Sequence, residues 1–380
     1  MEEIWDLIVV GAGPAGAAAA LEARRLAPGA RVLLLDRAAF PRDKPCGDGI
    51  GPHAVAELAA LGAGAALDGY PPIRRLRLRA PGGIEVSGVP ARPSWVVPRR
   101  VLDERLVRAA VRAGAVLERE RVRSLEQRDG LVVVNGALAA RVAVGADGAN
   151  SAVRRLLGAP ASPDRQTAIA LRGYAPSPPG PPEQLISWVT AGWPAYAWSF
   201  ATGTGLANVG YGLLRTHLEG GRAELERRLR ALLPGADPVP GSLRAHHLPF
   251  SSHRPLPGSD RVLLCGDAAS MINPLSGEGI YYALLSGRLA ARASLLAPDR
   301  PAHAYRTLLT TALGRHFRHA AVLARAIRWQ PLASAALAGA DGSPAHFQRL
   351  VELGLGQIRI TPALLAGVVA GWRGLRPIAR

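Results

Sequence analysis

Cysteine is nearly absent: the 380 residues contain two, Cys46 and Cys265. Two thiols cannot build a disulfide framework, so the expectation is a chain at home in a reducing cytoplasm. Long apolar runs are missing as well. No uninterrupted stretch approaches the ~20 residues that span a bilayer, and the apolar segment from Pro362 to Trp372 is too short. The opening Met1-Glu2-Glu3-Ile4-Trp5-Asp6 lacks a basic leader region and does not read as a signal peptide. There is no internal repeat, no Gly-x-Ser-x-Gly elbow and no lysine-bearing phosphate loop. His246-His247 has no cysteine or carboxylate at ligand spacing, so no metal site is expected. Acidic residues are scarce: 29 Asp plus Glu stand against 46 Lys plus Arg, a net charge of +17. No nucleic-acid motif or tight basic block accompanies that excess, so nucleic acid is not the expected partner. The charge reads as a solvated surface, with peripheral contact to an anionic membrane or an acidic carrier protein left open.

What is present is a globular chain, 48% hydrophobic, built around two glycine motifs. Leu7-Ile8-Val9-Val10 reads as a buried strand. Gly11-Ala12-Gly13-Pro14-Ala15-Gly16 follows it, and an Ala-rich helix should run to Leu26. Pro28-Gly29 breaks that helix before a second strand, Arg31 to Leu35, with Asp36 at its end. In this βαβ context the first glycine permits a tight turn. The second admits a pyrophosphate, and the third lets helix and strand pack closely. The helix N-terminus offers free N–H groups. Asp36, with Arg37 beside it, is placed to meet ribose hydroxyls. The second motif, Gly266-Asp267-Ala268-Ala269, follows the apolar run Val262 to Cys265. Asp267 reads either as a helix cap or as a carboxylate for a ribityl hydroxyl.

The spacing predicts an irregular loop over Phe40–Pro52, then helices over Ala54–Leu61 and Arg99–Arg112. Strands are expected in 73–97 around Pro81-Gly82-Gly83, and at Val116–Glu126, Leu131–Val134 and Arg141–Val144. Thr167 to His247 is strand-like, interrupted by an amphipathic helix at Arg222–Leu233. Residues 302–375 read as mostly helical. The expected organisation is a nucleotide-binding domain over 1–72, 98–166 and 248–300. A substrate domain is expected over 73–97 and 167–247, and a helical region over 301–380.

Three motifs in order resemble the flavoprotein superfamily that includes p-hydroxybenzoate hydroxylase. They are Gly11 to Gly16, Ala146-Asp147-Gly148-Ala149-Asn150-Ser151-Ala152-Val153-Arg154, and Gly266-Asp267-Ala268-Ala269. The resemblance implies an α/β fold: a Rossmann-like FAD-binding domain of the glutathione reductase/p-hydroxybenzoate hydroxylase type, with an inserted antiparallel-sheet substrate domain and C-terminal helices. It implies FAD, with Asp36 on the adenosine ribose and Asp267 on the ribityl chain. Gly11, Gly13, Pro14, Ala15, Gly16, Arg37, Asp147 and Gly266 complete the expected nucleotide contacts. Arg99 or Arg100 would bring a helix-borne guanidinium to the cofactor.

Within that superfamily the geranylgeranyl reductase family is the nearest resemblance. Lys44-Pro45-Cys46-Gly47-Asp48-Gly49-Ile50, Tyr196-Ala197-Trp198-Ser199-Phe200 and Asn273-Pro274-Leu275-Ser276-Gly277-Glu278-Gly279-Ile280 carry it. Ala195 and Ala201 depart from the Gly and Pro usual beside the aromatic segment. The resemblance implies Cys46, Gly47, Pro274, Gly277, Gly279 and Ile280 near the flavin. It also implies a hydrophobic substrate of isoprenoid or polyene type, reduced at C=C bonds, with NAD(P)H as electron donor. The alternative is a monooxygenase of bacterial secondary metabolism, acting through a flavin C4a-hydroperoxide on an aromatic, indole or alkene substrate. Tyr196, Trp198 and Phe200 alternate, so a strand puts all three on one face. That face is a substrate wall or ordinary sheet core. Cys46 is expected to line the pocket, and Cys265 to lie in the core.

Overall fold

Leu7 to Val10 are all buried, and their strand, Trp5–Val10, lies inside the first sheet of a computed structural model that describes residues 4–251 and 258–375. A strand buried on both faces reads as a continuous apolar run rather than an alternating one. The main path of this sheet runs Gly258–Ser259, Val262–Leu264, Leu138–Gly145, Trp5–Val10, Val32–Asp36, Val116–Arg119. Its four central pairings are parallel. The ends of Trp5–Val10 and Val262–Leu264 therefore face the same edge, where open α/β sheets bind ligands.

Ten α-helices occur among the described residues: α1 Pro14–Leu26, α2 Pro52–Ala60, α3 Arg99–Arg112, α4 Ala152–Leu156, α5 Gly221–Leu232, α6 Ile280–Leu296, α7 Pro301–Ala326, α8 Gln330–Ala338, α9 Pro344–Leu355 and α10 Pro362–Gly374. α1 and α6 pack on each other and on the first sheet. Tyr305, Leu309 and Leu313 of α7 join the same core.

The second sheet orders Arg244–Pro249, Thr167–Pro176, Leu206–Leu214, Ala195–Ala201, Gln184–Val189, Leu76–Arg79 and Glu85–Gly88. Only Gln184–Val189 and Leu76–Arg79 pair in parallel. One face of this sheet covers α5 through Leu225 and Leu229. Leu76, Leu78 and Ile186 meet Leu337 of α8 and Phe347 and Val351 of α9. The C-terminal helices thus contact both sheets instead of forming a layer of their own.

Two strand expectations need correction. Val116–Glu126 is not one strand but two, Val116–Arg119 and Leu125–Arg128. Residues 120–124 leave the sheet edge to wrap the Asn135 side chain. Its Oδ1 accepts from the Arg123 and Ser124 amides, and its Nδ2 donates to Glu120 and the Arg121 carbonyl. Within 73–97, Trp95–Val96 does not join the Leu76–Gly88 hairpin. It pairs with Gly49–Ile50, which gives the expected loop Phe40–Pro52 a short ordered end. No helix of the described residues is long and apolar enough to cross a membrane.

Candidate active site

The turn after the first strand is shaped by clashes that a side chain could not avoid. Gly11 has φ +100°, and a Cβ there would lie 2.5 Å from the Ala146 carbonyl oxygen. A Cβ on Gly16 would lie 1.8 Å from the Gly11 carbonyl oxygen. Gly13 differs: its nearest neighbours would be the guanidinium ends of Arg42 and Arg99, at 3.6 and 3.8 Å across a cavity. Pro14 opens α1, whose first turn carries no acidic residue, so its N–H groups are available to an anion.

Asp36 is buried at the end of its strand. Its Oδ2 accepts from the Ala12 amide at 2.9 Å and its Oδ1 from the Ala38 amide at 2.9 Å. Oδ2 also accepts from Arg42 at 3.4 Å, and Oδ1 keeps a lone pair for a further donor. Arg37 is exposed at the cavity rim. Of the two candidate arginines, Arg99 is buried, lines the cavity and forms a bidentate pair with Asp103 at 2.6 and 2.8 Å. Arg100, the next residue of α3, is exposed.

Asp147 accepts from the Ala152 and Val153 amides through Oδ2, at 2.6 and 3.2 Å. Its Oδ1 is buried without a partner, an acceptor that awaits a donor. Asp267 does not cap a helix. Its Oδ2 accepts from Lys44 Nζ at 3.0 Å. Burial works to raise this carboxyl, but the Lys44 ammonium beside it outweighs burial and holds it below the usual carboxylate range. His246 is pushed down to about 4, by burial first and by the Lys44 charge second, so its ring is neutral.

These groups share one cavity of about 1180 Å³, larger than the roughly 300–1,000 Å³ of an ordinary small-molecule pocket. Gly11, Gly13, Pro14, Ala15, Asp36 and Asp147 line one end. Pro274, Gly277, Gly279 and Ile280 line its middle beside Asp267. Gly16 and Gly266 do not reach its wall. Both are buried, Gly16 against Gly11 and Gly266 against Ala15 and Ala283.

The other end is apolar. Tyr196, Trp198 and Phe200 all face it, with adjacent ring centroids 5.9 and 6.4 Å apart. Cys46 and Gly47 lie against the same rings, since a Cβ on Gly47 would be 3.4 Å from Phe200. Burial pushes the Cys46 thiol up, which disfavours a reactive thiolate. Cys265 is buried in the core.

Sequence reasoning missed what holds this end together. Arg172, buried on Thr167–Pro176, donates to Asp43 at 2.6 and 3.2 Å, to the Lys44 carbonyl at 2.9 Å and to the Cys46 carbonyl at 3.2 Å. Asn208, fully buried on Leu206–Leu214, accepts from Trp198 Nε1 at 2.9 Å. It donates to the Cys46 carbonyl at 2.8 Å and to Asp48 at 2.7 Å. Tyr174 donates to the same Asp48 carboxylate. The 43–48 loop is thereby tied to the second sheet. The available signal was an Arg and an Asn inside otherwise apolar strand runs, Ala168 to Tyr174 and Leu206 to Leu214.

No cluster of three or more His, Cys, Asp or Glu side chains suited to a metal occurs among the described residues. The cavity does fit FAD. It pairs an open helix N-terminus with an acidic strand end, leaves the Asp147 Oδ1 unmet, and continues past Asp267.

A parallel sheet with this turn, joined to an antiparallel sheet over one long cavity, defines a flavin-dependent oxidoreductase. The model of the FAD binding domain matches residues 5–179. The menaquinone reductase of Mycobacterium tuberculosis is 37% identical over 356 residues, covering 85% of this chain and 84% of that protein. A digeranylgeranylglycerophospholipid reductase of Methanopyrus kandleri is 33% identical, covering 77% of this chain and 81% of that protein. A solved geranylgeranyl bacteriochlorophyll reductase-like protein of Thermoplasma acidophilum has the same fold, with a TM-score of 0.77. It is 20% identical, over 97% of this chain and 96% of that one. The chain belongs to the geranylgeranyl reductase family of FAD-dependent oxidoreductases.

Proposed function

We propose that the protein reduces carbon–carbon double bonds in the isoprenoid chain of a lipid, such as a prenylated quinone or a prenylated glycerophospholipid. The observation that carries this reading is the continuity of one cavity from the glycine turn to an apolar, aromatic wall. The relatives named above act, by their names, on a menaquinone and on a digeranylgeranylglycerophospholipid. Both substrate classes carry isoprenoid chains. Bound FAD would supply the hydride. The chain's own residues would bind and orient. The α1 N-terminus with Gly11, Gly13 and Pro14 would take the diphosphate, and Asp36 and Arg37 the adenosine ribose. Asp147 and Asp267 would hold the ribityl side, and Pro274, Gly277, Gly279 and Ile280 would wall the flavin. Tyr196, Trp198, Phe200 and the neutral Cys46 would exclude water from the alkene. NAD(P)H is the proposed donor, bound transiently, because no second Gly-x-Gly-x-x-Gly turn is present.

The test is anaerobic turnover of purified, FAD-loaded protein with NADPH and a prenylated quinone or geranylgeranyl lipid. The expected product gains two hydrogens per reduced bond. A product that gains oxygen, and only in air, overturns the reductase reading in favour of a monooxygenase.

We also propose a cytoplasmic protein in peripheral contact with an anionic membrane. α10 supports this. It crosses α8 through small residues, where a Cβ on Gly371 would lie 2.0 Å from the Ala335 carbonyl oxygen. Leu364 is buried, but three bulky apolar side chains are left outside: Leu365, Val369 and Trp372 are exposed, with Trp372 against the exposed Trp329. Surface helices ordinarily bury such a stripe, whereas interfacial helices lay it into lipid. Residues 301–380 hold ten arginines and two carboxylates, which favours an anionic surface. Co-sedimentation with vesicles containing phosphatidylglycerol, lost in Leu365→Glu/Val369→Glu, is the expected result. Equal sedimentation of both proteins would sink the assignment.

A further inference from the structure

The chain carries 46 cationic side chains, and 45 of them are arginine. The single lysine is Lys44. It is also the cation that faces Asp267 inside the cofactor half of the cavity, with Nζ 3.0 Å from Oδ2 and its side chain about a quarter exposed. A composition that uses arginine at every other cationic position and lysine here points to a site where the two are not equivalent. Arginine is a broad planar fork, whereas lysine is a compact point charge on a flexible stem. The backbone around Lys44 is fixed: Arg172 holds the carbonyls of Lys44 and Cys46. The ammonium is therefore delivered from a rigid loop.

Its surroundings leave that charge only partly answered. Asp267 is the one carboxylate paired with it among the described residues. His246, which also feels the Lys44 charge, is neutral and has a buried Nε2 without a partner. The cations nearby are otherwise engaged, Arg99 with Asp103 and Arg42 with Asp36 and Asp103.

We propose that Lys44 is the charge that answers the flavin: its ammonium pairs with Asp267 when the site is open and with the negative charge of the reduced flavin when the site is filled. Its role is to tighten FAD binding and favour the reduced cofactor. A cation fixed in a partly desolvated site stabilises charge that develops there. This rests on FAD occupying the cavity and does not depend on which substrate is reduced.

The sole lysine makes the test direct. An amine-specific acylating reagent can modify only Lys44 and the chain's α-amino group. Peptide mass spectrometry of the flavin-free protein should find Lys44 acylated, and FAD should protect it at least about tenfold relative to the α-amino group. Lys44→Met should weaken FAD binding at least about tenfold. It should also lower the midpoint potential of the bound flavin by about 30 mV, a tenfold change for a two-electron couple. A purely structural ion pair would alter melting without moving that potential. Lys44→Arg keeps the charge but spreads it over a broader fork, so its potential should fall between those of wild type and Lys44→Met. Equal acylation with and without FAD overturns the proposal even if the variants fail to fold. So does an unchanged potential in Lys44→Met, or a wild-type potential in Lys44→Arg.

Discussion

The two ends of the cavity are built by opposite means. At the nucleotide end, backbone does the work: Gly11 and Gly16 sit where any Cβ would enter a neighbouring carbonyl, and α1 presents bare N–H groups. At the apolar end, side chains of the second sheet and of α7, α8 and α9 converge, and a buried polar clamp ties the 43–48 loop to them. A backbone site has one chemical solution, so it appears in the sequence as glycines at fixed spacing. A side-chain site has many solutions, and its parts are far apart in the chain.

The sharpest way to break this contrast is inside the turn itself. In Gly16→Ala the new methyl would meet a carbonyl oxygen at 1.8 Å, and neither partner is a flexible side chain. A loss of about 4 kcal/mol or more is expected, seen as missing soluble protein or a collapsed melting temperature. In Gly13→Ala the methyl enters the cavity, 3.6 Å from an arginine tip. Its stability should stay within about 0.5 kcal/mol of wild type, while FAD affinity falls at least about tenfold. If Gly13→Ala unfolds and Gly16→Ala does not, the division into packing and binding glycines is wrong.

The clamp comes next. Arg172→Leu removes a buried cation that serves three acceptors; it leaves the Lys44 carbonyl unmet, while Asn208 still donates to the Cys46 carbonyl. About 3 kcal/mol is expected, since Asp43 keeps enough exposure to rehydrate. Alkylation of Cys46 should accelerate as the loop loosens. Retained protection of Cys46 would show that the loop is held from the first sheet instead.

That clamp also marks where the sequence stops being readable. Asp36 and the glycine turn are local to one βαβ unit, so spacing alone locates them. Tyr196, Trp198 and Phe200 were placed on one face by alternation, but alternation could not say whether the face met a cavity or a core. That depended on α8 and α9 standing off to leave space. Arg172 and Asn208 lie 126 and 162 residues from Cys46, and no local pattern announces a pairing at that range. The expected strand Val116–Glu126 failed at shorter range: the Asn135 side chain, 11 to 15 residues further on, bonds to Glu120, Arg121, Arg123 and Ser124 where the strand breaks.

Asp48 joins the two ends, and its titration tests whether they act as one unit. Burial lifts its carboxyl to about 6, against the opposing pull of Arg172, Tyr174, Asn208 and Arg99. The folded protein thus binds this proton more tightly than the unfolded chain, whose ordinary value is 3.8. Stability from this group is fully present below about pH 4 and is lost as pH climbs through about 6, to a total of up to about 3 kcal/mol. Asp48→Asn should flatten that slope in urea titrations between pH 4 and 7. A wild-type slope in the variant would assign the pH dependence elsewhere, with Glu278, raised to about 7 by burial, the next group to examine.

The smallest effect is the most specific to the apolar end. Trp198 presents its ring to the cavity while its Nε1 donates to Asn208 at 2.9 Å. Trp198→Phe keeps an aromatic face but removes that donor, so Asn208 Oδ1 is left buried and unmet at a cost of about 1–3 kcal/mol. Asn208 also fixes the Cys46 carbonyl and Asp48 through its Nδ2. The strain should therefore reach the 43–48 loop rather than the glycine turn, which shares no hydrogen bond with Asn208. KM for an isoprenoid substrate should rise several-fold with FAD affinity unchanged. A fall in FAD affinity larger than the rise in KM would mean that the aromatic wall supports the cofactor first and the substrate second, and the two ends would no longer be separable.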